Sequence, residues 1–304
     1  MVIVLAACGR FGFDRVPDCE MCDAGELPPD AAPMFDAPRG MPGVDTDGDT
    51  VFDDTDNCIA VQNVTQHDED TDGYGDVCDN CPTYTNVDQS NVREINAGAA
   101  ADTVGDACDP RPTQPGESIV HFETFEGTAL GASWNVISGT WTVAGDAVAQ
   151  PSLISDQRMH DSAAVSGTDY IVETTYTFSG FDSGNVNGGV LYRMTNNNGW
   201  LCAVFRDDST SPVVSRLMLW TIQNGAANFQ RSEAVVSEPA VGSAYRIRAG
   251  AAGSNHYCAL DSFQSGPNAP FTSNQNADGI GGLRTNRTTG TYAYFVVYAL
   301  GGPI

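Results

Sequence analysis

Two stretches of the chain, DTDGDTVFDDTDNC at 45–58 and DEDTDGYGDVCDNC at 68–81, place aspartate at the same five points. Counted from the first residue of each, these are positions 1, 3, 5, 9 and 12: Asp45, Asp47, Asp49, Asp53 and Asp56, then Asp68, Asp70, Asp72, Asp76 and Asp79. So many carboxylates in so short a span repel one another, and no apolar period runs through them to build a core. Such a segment either stays a solvated acidic spacer or closes around cations.

Composition leaves both readings open and confines the charge to one end, so cation binding rests on the spacing. The 304 residues carry a net charge of −25 with arginine as the only strong base, since lysine is absent. Residues 1–116 hold 24 acids against 5 arginines, and residues 117–304 hold 15 against 9. This balance excludes nucleic acid as a partner, because phosphates need cationic surfaces. The spacing itself suits Ca2+: alternate carboxylates point to one side of a tight turn, position 7 (Val51, Tyr74) offers a backbone carbonyl, and position 12 closes the shell. Neither loop has the flanking amphipathic helices or the closing glutamate of an EF-hand, and the first has its glycine at Gly48 rather than at position 6. A third unit keeps Asp102, Asp106 and Asp109 at positions 5, 9 and 12 but has Gly98 and Ala100 at positions 1 and 3, after an insertion, VREINAGAA. It is expected to bind an ion weakly or not at all.

Acid, glycine, Asn-Cys and Asn-x-x-Gln recur at fixed offsets through DTDGDTVFDDTDNC, NVTQHDEDTDGYGDVCDNC, NVDQSN and DTVGDACD. Over residues 44–110 this resembles thrombospondin type 3 repeats, which implies a calcium-cored wire in which ions and disulfides replace a hydrophobic interior. Nine cysteines point to an oxidising compartment. Joining Cys58 to Cys78 and Cys81 to Cys108 encloses the second and third loops, and Cys19 with Cys22 and Cys202 with Cys258 would use the rest save Cys8; other connectivities stay open. A redox role for Cys78 and Cys81 is disfavoured, because dense carboxylates raise a thiol's pKa.

The first residues, MVIVLAAC, resemble a bacterial lipobox, in which Cys8 would be the lipidated first residue of the mature protein. Residues 1–7 then form part of a signal peptide and 8–43 an anchor with a proline-rich tether, AGELPPDAAPMFDAPRGMPG. The expected location is outside the cell, held to the bacterial surface or outer membrane by lipid. The acidic repeats occupy 44–116.

From residue 117 short runs rich in Val, Thr, Tyr, Phe and Trp alternate with a period of two between Gly, Asn and Ser. In TDYIVETTYTFSG, Tyr170, Val172, Thr174, Tyr176 and Phe178 share one face, and Ile171, Glu173, Thr175 and Thr177 the other. Ten or more such runs without a helix predict an all-β, antiparallel jelly-roll β-sandwich over 117–304, preceded by the irregular calcium- and disulfide-stabilised stalk. FETFEG…SWNVISGTWTV, GGVLYRMTNNNGWLCAVF and GIGGLRTNRTTGTYAYFVVY resemble the concanavalin A-like, or laminin-G-like, jelly roll of carbohydrate-binding and adhesion modules. Trp200 with Arg193 and Arg206 is the first candidate for a sugar site, an aromatic face beside planar donors, with Trp220 and Arg284 as further candidates. No Glu-x-Asp-x-Glu run and no nucleophile motif accompanies them, so the chain is read as a non-enzyme. The expected function is that of a calcium-binding, lipid-anchored surface protein whose head recognises an extracellular glycan or surface protein. Structural display without a ligand and a glycan-active hydrolase or lyase are the alternatives.

Overall fold

A computed structural model describes residues 41–163, 169–260, 271–273 and 279–301. Residues 37–304 form one compact unit; Cys8, Cys19 and Cys22 lie outside the described residues. From 41 to 117 the backbone is a succession of turns, with a single helical turn, α1 (Arg93–Asn96).

Sixteen strands follow among the described residues. The first six are β1 (Ser118–Glu123), β2 (Trp134–Ser138), β3 (Thr142–Val143), β4 (Val148–Gln150), β5 (Gln157–Asp161) and β6 (Tyr170–Phe181). Next come β7 (Asn185–Thr195), β8 (Asn198–Asp207), β9 (Val214–Gln223), β10 (Ala226–Val235) and β11 (Ala244–Ala252). The last are β12 (Asn255–Leu260), β13 (Phe271–Thr272), β14 (Ile280–Asn286), β15 (Thr288–Tyr292) and β16 (Phe295–Ala299). All pair antiparallel in two sheets, with orders β13-β12-β11-β6-β15-β4-β3 and β10-β9-β8-β7-β14-β5-β2; β16 pairs with both β6 and β1 beside the first. The all-β sandwich expected from the period of two is therefore the architecture.

Between the sheets Tyr170, Val172, Tyr176 and Phe178 of β6 meet Val190, Tyr192, Trp200, Cys202 and Val204 of β7 and β8. The Cys202–Cys258 disulfide ties β8 to β12 through this core. The first part of the other face of β6, Ile171 and Glu173, is buried as well, because the repeats lie on it. Ile171, Tyr257, Tyr294, Val296, Tyr298 and Leu300 enclose Cys81, Val104 and Cys108 of the repeats.

That contact has a charged centre. Glu173 of β6 faces Arg248 of β11 in register, and their side chains form an ion pair that is essentially fully buried. Glu173 also accepts hydrogen bonds from Thr83 (2.9 Å) and from the Tyr294 hydroxyl (2.8 Å), while Arg248 donates to the Cys108 carbonyl (2.7 Å). Arg246, two residues along the same face, donates to the Thr83 carbonyl (2.7 Å) and lies 3.8 Å from the centroid of the Tyr84 ring. Desolvating these charges is tolerable only because nearly every polar atom meets a partner across the seam.

Candidate functional site

The two regular repeats are built by their own carboxylates. Asp45 accepts from the amides of Gly48 (2.7 Å) and Thr50 (3.1 Å), and Asp68 from those of Thr71 (2.7 Å) and Gly73 (2.9 Å). These bonds wrap each loop over its first aspartate, and the backbone enters the left-handed region at both the fourth and sixth positions. Gly48 (φ 81°) and Thr50 (φ 81°) do this in the first loop, Thr71 (φ 62°) and Gly73 (φ 98°) in the second. One glycine per loop suffices, at either place, which explains why the glycine moves between repeats.

Position 5 ties each loop to the segment after it. Asp49 accepts from Val51 N and Asn63 N, both at 2.8 Å, and Asp72 from Tyr74 N (2.9 Å) and Asn86 N (2.8 Å). Position 12 does the same: Asp56 accepts from Cys58 N (2.7 Å) and the Gln66 amide (2.9 Å), Asp79 from Cys81 N and the Gln89 amide, both at 2.7 Å. The Asn-Cys and Asn-x-x-Gln offsets are thereby explained, since Asn57 pairs with Gln66 as Asn80 does with Gln89. Disulfides Cys58–Cys78 and Cys81–Cys108 close the two links.

The result gathers Asp45, Asp47 and Asp49, and likewise Asp68, Asp70 and Asp72, with one carboxylate oxygen from each within 4.8 Å of the others. Oδ2 of Asp47, Asp70 and Asp56 is buried without a hydrogen-bond partner. Burial, then the charges of Asp72, Asp79 and Asp68, push the Asp70 carboxyl up to about 7, and burial pushes Asp79 up to about 6. Three crowded oxygens with spare lone pairs and no amine suit a hard cation, not zinc.

Position 9 faces the start of its own loop. Asp53 is engaged by Thr46 N and Oγ1, both at 2.8 Å, and Asp76 by Glu69 N (2.9 Å) and His67 Nδ1 (2.5 Å). Asp106 accepts from Val92 N, Arg93 N and Ser90 Oγ. These three clamp the start of each loop and lie outside the gathered sets, because their bonds turn them toward the loop's own amides. In the third unit a residue not chosen from the sequence, Glu94, joins Asp102 and Asp109.

The sugar candidates in the sandwich are also rearranged. Trp200 is fully buried between the sheets, its ring centroid 3.9 Å from that of His256 and 6.3 Å from that of Tyr192, so it presents no face to a sugar. Arg193 is buried too, donating to the Gly253 carbonyl (2.8 Å) and to Asp169 (3.2 Å). Arg206 is held by Asp208 (2.8 Å) and Glu238 (3.0 Å). Inward packing of Trp200 follows from the strand alternation that puts Cys202 and Val204 on the same face.

The opposite face of the second sheet carries the other pair. Trp220, Leu201, Leu191, Gly282 and His160 form one transverse row, and Met218, Ala203, Gly189, Arg284 and Arg158 the next. Arg284 donates to Asp156 and Asn187, both at 2.9 Å, and Arg158 lies 3.2 Å from Asp156. Arg158 Nη1 and His160 Nε2 are buried without a hydrogen-bond partner. Burial, reinforced by Arg158, lowers His160 to about 4, so its ring is neutral at pH 7.

Comparison with known proteins finds the thrombospondin type 3 repeat family in residues 64–89. No curated protein matches significantly. Among solved structures the chain is similar to the carbohydrate binding module CBM66 from Bacillus subtilis, with 21% identity, 53% of this chain and 91% of that one covered, and a TM-score of 0.41. It is also similar to the GH43 BlXynB protein from Bacillus licheniformis (11% identity, 59% and 39% covered, TM-score 0.45), so it spans about two fifths of that chain. A third likeness is the CBM2 module of Lactobacillus casei BL23 phage J-1 evolved Dit (9% identity, 62% and 98% covered, TM-score 0.44).

Proposed function

We propose that this chain is a calcium-binding surface protein in which ion-filled repeats brace a sandwich that binds carbohydrate. The gathered aspartates with buried, unpartnered oxygens carry this reading. Asp45, Asp47 and Asp49 would hold one ion and Asp68, Asp70 and Asp72 another, with Asp56 and Asp79 closing the shells; the ions would neutralise charge that burial otherwise makes costly. Anchorage is through lipid on Cys8, and the mass of membrane-extracted protein checks it: an unmodified Cys8 removes the anchor.

For the sandwich no exposed sugar face is assigned, because the candidate residues on the outer side of the second sheet are buried, as Trp200 is. Arg158, His160, Arg284 and Asn187 are 4–6% exposed, and Trp220, 7% exposed, packs with Leu191, Leu201 and Ile222. The chain is read as a binder and not as a catalyst. On a glycan array, the full chain should retain a subset of glycans intact. Retention of no glycan would leave the sandwich as a structural display domain, and cleavage of a retained glycan would overturn the non-catalytic reading.

A further inference from the structure

The third repeat lacks the two aspartates that open the others, having Gly98 and Ala100 in their places. Its insertion turns through α1, held by the bonds from Val92 N and Arg93 N to Asp106, and this turn delivers Glu94 into the interior. Glu94 is 0% exposed, and its carboxylate lies in a set with those of Asp102 and Asp109, one oxygen of each within 4.8 Å of the others. Neither Oε1 nor Oε2 of Glu94 has a hydrogen-bond partner; nor has Oδ2 of Asp109, Oε2 of Glu117 or Oδ1 of Asn91, all buried. A fully buried carboxylate with no donor at either oxygen is among the costliest arrangements a protein can hold, unless a proton or a cation lies between it and its neighbours. One proton serves one pair of oxygens, whereas calcium takes six to eight.

We infer that Glu94, Asp102 and Asp109 form a third site for a hard divalent cation, in which a glutamate supplied by an insertion replaces two missing aspartates. The choice of calcium as that cation rests on the proposed reading of the first two loops. The site stands at the root of the sandwich. Asp102 also accepts from Glu117 N (2.8 Å), the residue before β1, and Asp109 from Arg111 N (2.6 Å), whose side chain pairs with Glu117. The Cys108 carbonyl beside Asp109 receives Arg248 of β11. An ion here therefore orders the point where the repeats join and touch both β1 and β11.

The test is Glu94→Gln in the full chain, an isosteric change that removes charge, read by calcium calorimetry and by thermal melting in calcium and in chelator. One ion fewer per chain is expected, with a smaller calcium-induced rise in Tm. In chelator the variant should melt no lower than the parent, because one of three crowded charges is gone. A structural role without an ion predicts instead an equal loss of Tm in both conditions, and a proton shared by Glu94 and Asp109 predicts an unchanged ion count; either result overturns the inference. If Glu94→Gln does not fold, Glu94→Asp keeps the charge but shortens the reach, and a tenfold or greater weakening of one calcium step is expected. Failure of both variants to fold, with and without calcium alike, also overturns it. Asp47→Asn and Asp70→Asn separate this from the wider reading: if both lose an ion while Glu94→Gln is silent, the third site alone falls, and if the parent binds no calcium the reading of all three loops falls.

Discussion

Removing calcium from the intact chain should lower its melting temperature strongly, and Asp70→Asn should abolish a share of that dependence. At a free calcium concentration 100 times the dissociation constant, each site that exists only in the folded chain adds about 2.7 kcal/mol, so the two regular loops together would add about 5 kcal/mol. Without the ions, Asp68, Asp70 and Asp72 stand within 4.8 Å of one another with Asp70 Oδ2 buried and unpartnered. Asp70→Asn removes a ligand but also one repelling charge, so its cost should appear in calcium and shrink or vanish in chelator. Differential scanning calorimetry in calcium, in magnesium and in chelator reads this directly. Magnesium should substitute poorly, since it demands octahedral geometry and keeps its waters. Identical melting in calcium and chelator would mean that the hydrogen-bonded loops and their two disulfides stand unaided, and the metal reading would fall.

The parts of this molecule that were legible in the sequence are those set by local periodicity. Alternation over Tyr170–Phe178 gave a strand with Tyr170, Val172, Tyr176 and Phe178 inward, and the 1, 3, 5 spacing gave the aspartates that gather. What periodicity does not contain is which face of a strand another element will cover. Glu173 reads as a solvent-side residue between Val172 and Thr174, yet it lies beneath Cys81 and Cys108, because the repeats fold back on the first sheet. The same ambiguity governed the tryptophans. Trp200 and Trp220 both sit on alternating strands, and only the placing of the second sheet decides that Trp200 points into the sandwich and Trp220 away from it. Spacing also says nothing of a residue that arrives through an insertion, as Glu94 does, and it cannot separate an aspartate that gathers with its neighbours from one, such as Asp53, Asp76 or Asp106, that holds its loop's own amides.

The buried seam gives the second large effect. Arg248→Met should destabilise the chain by about 3–5 kcal/mol, since it strands the Glu173 charge in a site closed to water. The side chain it removes also satisfied the Cys108 carbonyl and lay 4.9 Å from the centroid of the Tyr84 ring. Glu173→Gln should cost less, because the amide still accepts from Thr83 and Tyr294, but it leaves the Arg248 guanidinium without its counter-charge. The paired change Glu173→Met with Arg248→Met should recover much of the loss, because two well-packed apolar side chains avoid both desolvation costs. Urea unfolding followed by tryptophan fluorescence and by limited proteolysis in the repeats separates two outcomes. If the seam joins the repeats to the sandwich cooperatively, single variants shift both probes together; if it only clips one to the other, proteolysis of the repeats rises while the fluorescence midpoint stays. A cost for Arg248→Met no larger than that of a surface substitution, about 0.5 kcal/mol, would show that the ion pair is solvated in solution and that the repeats are a free stalk after all.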